Sequence, residues 1–301
     1  MVLVLLLELN PLFPPSLTKR RGTGMSSKKH MLITHTVTSL DQPELQPYRT
    51  LRRPLEHQHQ GIFVAEGEKV VRRLLESDLR VLSVLLTPEW LAKIQSLLET
   101  RSGRFETYVA EKNLLEQIVG YTLHQGIMAV GGIPQPERLE DILARSSRPY
   151  FFAAVDGLTN SENLGVLVRN CAGFGVQALL VGETSSSPYL RRSVRNSMGT
   201  VFKLPVVHVS ELANALTILH ATHAIRPIAA HPYGGSTTLE RADLRSDCCI
   251  VFGSEGEGIS PQVLSACTMR VAIPMHNGVD SLNVASASAA FLYEVMRQRG
   301  K

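Results

Sequence analysis

The chain has 301 residues, 44% hydrophobic and 19% charged, with 22 glycines and 16 prolines; this excludes a collagen-like chain, a coiled-coil rod and wholesale disorder, and the length fits two domains. The formal net charge is +4, and residues 1–60 carry all of it with eight basic against four acidic side chains, so bulk charge argues for no polyanionic partner of the main body and local clusters must do so. The longest apolar run, residues 1–7, stops at Glu8, far short of the ~20 residues that span a bilayer.

Residues 1–44 read as a flexible or non-physiological extension. MVLVLLLELNPLFPPSL lacks a basic start before its apolar run, unlike a signal peptide. KRRGTGMSSKK is polar and basic, and Met25 and Met31 are alternative starts. Residues 45–135 alternate strand and helix patterns as a small α/β domain. Ile62, Phe63 and Val64 are strand-like, and Val70, Val71, Leu74 and Leu75 recur at helical spacing. VLSVLLT, FETYVA and GIMAV are further strands, with helices in LAKIQSLLE and AEKNLLEQIVG. Glu66 and Glu68 are read as a solvated turn. Residues 136–149 are read as a linker.

Residues 150–301 alternate more strongly. YFFAAV, QALLVG, IRPIAAH, DCCIVFG and MRVAIPM are strands, and the near-continuous apolar character of DCCIVFG is that of a parallel strand buried on both faces. LGVLVRNCAGFG, YLRRSVRNSMG, ELANALTILHAT, ISPQVLSAC and the long closing stretch SLNVASASAAFLYEVMRQR are helical, with Asn163 or Ser161 expected to cap the first. The pattern predicts an α/β fold with a mostly parallel sheet and helices on both faces, whose ligands bind beyond the carboxyl ends of the strands. The four cysteines form no CxxC pair, so neither a disulfide scaffold nor a zinc ribbon is expected, and a reducing cytoplasm fits.

Three loops follow those strands. The first carries Asn160, Asn163, Gly165 and Arg169; the second is GSEGEG at 253–258; the third is IPMHNGVDSLN at 273–283. The second has neither the glycine spacing of a dinucleotide fingerprint nor a P-loop lysine, and Glu255 and Glu257 would repel a phosphate. Its glycines allow close backbone approach by a neutral or cationic ligand, and read alone it is equally a tight turn. Ser281 and Asn283 read alone as helix caps. Arg191, Arg192 and Arg195 are either a solvated helix face or a phosphate-contacting patch.

Taken in order, N-x-G-x-x-x-R at 163–169, G-S-E-G-x-G at 253–258, I-P-M at 273–275 and S-L-N at 281–283 resemble the SpoU/TrmH family of RNA 2′-O-ribose methyltransferases, in the SPOUT class. L-R-R at 51–53, F-V-A-E-G and H-Q-G-I-M-A-V resemble, more weakly, the family's small substrate-binding domain. The resemblance implies a trefoil-knotted methyltransferase domain over 150–301, a homodimer, and S-adenosylmethionine held by Gly253, Ser254, Glu255, Ile273, Met275, Ser281 and Leu282. It implies a catalytic set of Arg169, Asn163, Glu255, Ser281 and Asn283. It also implies structured RNA, tRNA or rRNA, as substrate, contacted through Arg169, Arg191, Arg195, Arg52 and Arg53, with no membrane and no metal. A guanidinium is not normally deprotonated in proteins, so Arg169 is either an activated base or an electrostatic stabiliser. Ser161 stands where the family often has proline. Two other readings remain open: an RNA-binding protein that keeps the fold without catalysis, and a SPOUT enzyme that methylates a base nitrogen.

Overall fold

Five short strands build the first layer of this computed structural model, which describes residues 32–39, 41–122, 125–232 and 237–300. The chain runs β1 (Thr34–Thr36), α1 (Gln46–Arg49), α2 (Pro54–His59), β2 (Ile62–Glu66), α3 (Glu68–Leu75), β3 (Val81–Leu86), α4 (Pro88–Thr100), β4 (Glu106–Val109), α5 (Lys112–Val119) and β5 (Ile127–Gly132). Among the described residues these strands form one sheet in the order β1-β4-β3-β5-β2, parallel except where β5 pairs antiparallel with β3 and β2. Alternate residues of β2 face opposite sides. Val64 packs with Tyr48, Leu85 and Leu115 on one face, while Phe63 and Ala65 pack with α3 and α4 on the other. The strand β1 lies inside the stretch assigned to the extension, so the small domain reaches back at least to Thr34; residues 1–31 lie outside the described residues.

The second layer follows as α6 (Leu139–Arg145), β6 (Phe151–Val155), α7 (Ser161–Gly173), β7 (Ala178–Val181), α8 (Arg191–Asn196), β8 (Val206–His208), α9 (Leu212–His223), β9 (Arg226–Ala230), β10 (Thr237–Thr238), β11 (Cys248–Phe252), α10 (Pro261–Ala266), β12 (Met269–Ala272) and α11 (Val284–Gln298). Among the described residues the strands pair in the order β10-β12-β9-β11-β6-β7-β8, every pair parallel. Burial on both faces explains the unbroken apolar runs. Phe151, Ala153 and Val155 of β6 face α7, α8 and α11; Phe152 and Ala154 face α6, α9 and α10. The stretch read as a linker contains α6. Ile142 and Leu143 of α6 are buried under this sheet.

From β6 the chain winds outward through β7 to the β8 edge, then crosses to β9 on the other side of β6 and returns to insert β11 between them. That reversal opens a crevice at the carboxyl ends of β6, β11 and β9. All three predicted loops leave the sheet there or enter a helix beside it.

The two domains share one buried core. Phe63 lies 5.6 Å from the Tyr189 ring and 5.3 Å from that of Phe202. Glu66 is not the solvated carboxylate expected of a turn. Its side chain is 9% exposed and receives Arg191 Nη1 at 2.6 Å and Arg195 Nη1 at 3.3 Å. Arg191 also donates to the Tyr121 hydroxyl at 3.2 Å. Burial, then the adjacent Glu66 charge, pushes the Tyr121 phenol up to about 12. Removing one partner of a buried ion pair strands the other charge. Glu66→Ala is therefore expected to destabilise the protein by roughly 2–3 kcal/mol, seen as a melting temperature lower by about 4–10 °C in calorimetry. An unchanged melting temperature would show that this contact does not hold the domains.

Candidate active site

The cap of α7 is Asn160 rather than Asn163 or Ser161: its side chain accepts from the backbone N–H groups of Glu162 (2.9 Å) and Asn163 (3.2 Å). This leaves the Asn163 side chain free to reach across the crevice. Its Nδ2 donates to Glu255 Oε1. Asn283 Nδ2 donates to the same Glu255 oxygen at 2.6 Å and to Asn163 Oδ1 at 3.2 Å. Asn283, not Ser281, caps α11, its Oδ1 accepting from Ala285 N–H at 2.9 Å. Three loops far apart in the chain are thus tied by one carboxylate and two amides.

The GSEGEG loop closes on itself. Ser254 N–H donates to Gly258 O at 2.9 Å and Gly258 N–H returns to Ser254 O at 3.1 Å. A Cβ on Gly253 would lie 2.1 Å from Gly258 C and 2.3 Å from Gly258 O, so only glycine fits this crossing. Gly258 itself has φ +71°, a conformation glycine adopts without steric cost. The loop is anchored at its far end by buried Asp156, which accepts from Ser260 N–H at 2.7 Å. Gly165 serves a different close approach. A Cβ there would meet Ser193 O at 2.5 Å, so the glycine lets α7 and α8 touch.

Beside this loop lies a cleft. Gly253, Ser254, Glu255, Ile273, Met275, Ser281 and Leu282, the residues expected to hold a cofactor, all line it. Sequence reasoning missed Phe252, Val284 and Phe291, which give it an apolar wall, and His231 at the end of β9. Position was the available signal, since these residues lie at or beside the ends of β9 and β11 or on α11. Burial, with the Arg270 charge second, holds the His231 imidazole below its usual range. An apolar slot with Glu255 and Glu257 at its rim suits a nucleoside bearing a positive charge. S-adenosylmethionine, with its sulfonium, fits that description.

The remaining expected residues lie elsewhere. Arg169 is exposed on α7, in a groove with Lys69 and Arg73, and is not part of the cleft wall. Arg191 and Arg195 are held by Glu66, Arg191 with its side chain 19% exposed and Arg195 with 54%. An ion pair at the domain seam, rather than an open phosphate patch, is what occupies Arg191. Arg52 and Arg53 are exposed before α2, with Arg53 3.6 Å from Glu56. Among the described residues no group of His, Cys, Asp and Glu has the arrangement of a metal site.

The chain is similar to known proteins in sequence and in fold. The profile of the SpoU rRNA methylase family matches residues 150–293, and that of the RNA 2′-O ribose methyltransferase substrate-binding domain matches 64–136. An uncharacterized tRNA/rRNA methyltransferase of Mycobacterium tuberculosis is 31% identical over 274 residues, covering 88% of this chain and 93% of its own. The 23S rRNA (guanosine-2′-O-)-methyltransferase RlmB of Acinetobacter baylyi is 29% identical over 63% of this chain and 77% of its own. The SpoU methyltransferase AviRb of Streptomyces viridochromogenes, solved with AdoMet, superposes with a TM-score of 0.74 at 24% identity, covering 86% of this chain and 99% of its own. By profile, by sequence over most of its length and by fold, this chain belongs to the SpoU methylase family.

Proposed function

We propose that this protein methylates a ribose 2′-hydroxyl of structured RNA, tRNA or rRNA, using S-adenosylmethionine. The observation that carries the reading is the joining of Asn163, Glu255 and Asn283 beside a cleft whose wall is apolar and whose rim is acidic. The cofactor supplies an electrophilic methyl group on a sulfonium. The chain's residues have three tasks: to seat that group, to hold the ribose oxygen in line with it, and to manage the proton that oxygen loses. Gly253, Ile273 and Leu282 form the seat, with Phe252 and Phe291 excluding water. Glu255, anchored by two amides, keeps the loop closed and presents negative charge toward a cation. Ser281, on the cleft wall and exposed, is placed to contact the sugar.

Arg169 acts on the RNA side. Its guanidinium, unlike a carboxylate or imidazole, does not readily accept a proton, so the role assigned to it is to fork onto an RNA phosphate and stabilise the developing alkoxide. The working unit is taken to be a homodimer with the family's trefoil knot. Tyr293, half exposed on α11 and edge-on to Phe174 at 6.2 Å, offers an apolar face to a second copy. A cytoplasmic location accords with four free cysteines.

The test is transfer of labelled methyl from S-adenosylmethionine to RNA, followed by alkaline hydrolysis. A 2′-O-methyl blocks the neighbouring hydroxyl from attacking the backbone, so label is expected in alkali-resistant dinucleotides. Label released as mononucleotides would instead indicate a methylated base, and absence of transfer would favour the non-catalytic reading.

A further inference from the structure

Along the C-terminal half of α7, a groove runs at the seam between the domains. Lys69 and Arg73, one helical turn apart on α3, stand on one wall; Arg169 and Asn170 of α7 stand on the other, with Met198 and Thr200 at the base. Residues four apart on a helix share a face, so Lys69 and Arg73 point their charges to the same side. All three cations are exposed. Among the described residues no carboxylate lines the groove. The nearby acids are already committed: Glu68 lies 3.5 Å from Arg72, and Glu66 is shared by Arg191 and Arg195. Lys69 also borders the adjoining hollow, where Glu66 and Arg195 are paired with each other, so the unmatched charge is confined to the groove itself. Arg73 Nη1 donates to Met198 O at 2.6 Å, so its guanidinium is held in place by the second domain while its charge has no acidic partner among the described residues.

Convergence of unmatched cations from two domains is electrostatically unfavourable unless an anion enters. From this geometry we infer that the groove is a backbone-phosphate seat for the RNA, in which Lys69 and Arg73 of the small domain grip the phosphates that flank the nucleotide served by Arg169. The seat exists only where the domains are docked, so it couples the small domain to the reacting end of the RNA. Lys69 and Arg73 are positioning residues: they set where the strand lies and leave the methyl donor untouched. The inference rests on the RNA reading given above.

The test uses full-length protein and a labelled synthetic RNA hairpin, with binding measured by anisotropy over a series of KCl concentrations. For every phosphate that the protein ceases to neutralise, the slope of log K against log salt becomes shallower by about 0.7–0.9. The double variant Lys69→Gln, Arg73→Gln is expected to bind about tenfold more weakly at low salt, with a slope shallower by about 1–2. S-adenosylmethionine affinity, measured by calorimetry, stays unchanged. Lys69→Arg with Arg73→Lys keeps the charges and is expected to keep the slope. A folded Gln variant with wild-type affinity and slope overturns the seat while leaving the enzyme reading intact. Wild-type protein that neither binds the hairpin nor methylates RNA overturns both.

Discussion

Truncating Arg169 to alanine is expected to lower kcat about 10²–10³-fold, the usual effect of removing one donor aimed at a developing oxyanion. Cofactor affinity should not change, because Arg169 is absent from the cleft wall that Gly253 and Leu282 help to form. This split distinguishes the side chain from residues that hold the methyl donor. Arg169→Lys retains the charge but not the planar fork, and is expected to recover only part of the lost rate. Single-turnover methyl transfer with saturating RNA reads the effect. Full activity in Arg169→Ala would remove the residue from the mechanism.

Gly253→Ala is the second large effect. Its added Cβ would sit 2.1 Å from a backbone carbon and 2.4 Å from the Ile259 nitrogen. Neither neighbour is the end of a flexible side chain, so the loop between Ser254 and Gly258 must open. Overpacking of this kind costs about 1–3 kcal/mol. Concentrated in the loop that borders the cleft, it is expected to weaken S-adenosylmethionine binding by about 10–100-fold. The core strand β11 is buried independently of the loop, so the melting temperature should fall much less than the affinity. Unchanged affinity would mean that the closed loop is not part of the donor site.

The strands of the second domain were readable because burial on both faces demands unbroken apolar runs; DCCIVFG and YFFAAV have them, and both lie at the sheet centre. The loops beyond those strands were readable for the same reason, and their motifs resembled one family. What escaped was information held by partners far away in the chain. β1 is three exposed residues, Thr-His-Thr, and is a strand only because β4 pairs with it. The role of Glu66 depends on Arg191 and Arg195, more than a hundred residues later. Ser281 and Asn283 were both possible caps, and the choice fell to Asn283, whose amide also reaches Glu255. Lys69 and Arg73 read as polar positions of an amphipathic helix; only domain docking sets them opposite Arg169.

Calorimetric titration of S-adenosylmethionine into the folded full-length protein puts the account to its shortest test. The account predicts saturable uptake of one molecule per chain, accompanied by a higher melting temperature, with both effects much weaker in Gly253→Ala. A well-folded wild-type protein that took up none of the donor, with no rise in its melting temperature, would contradict it.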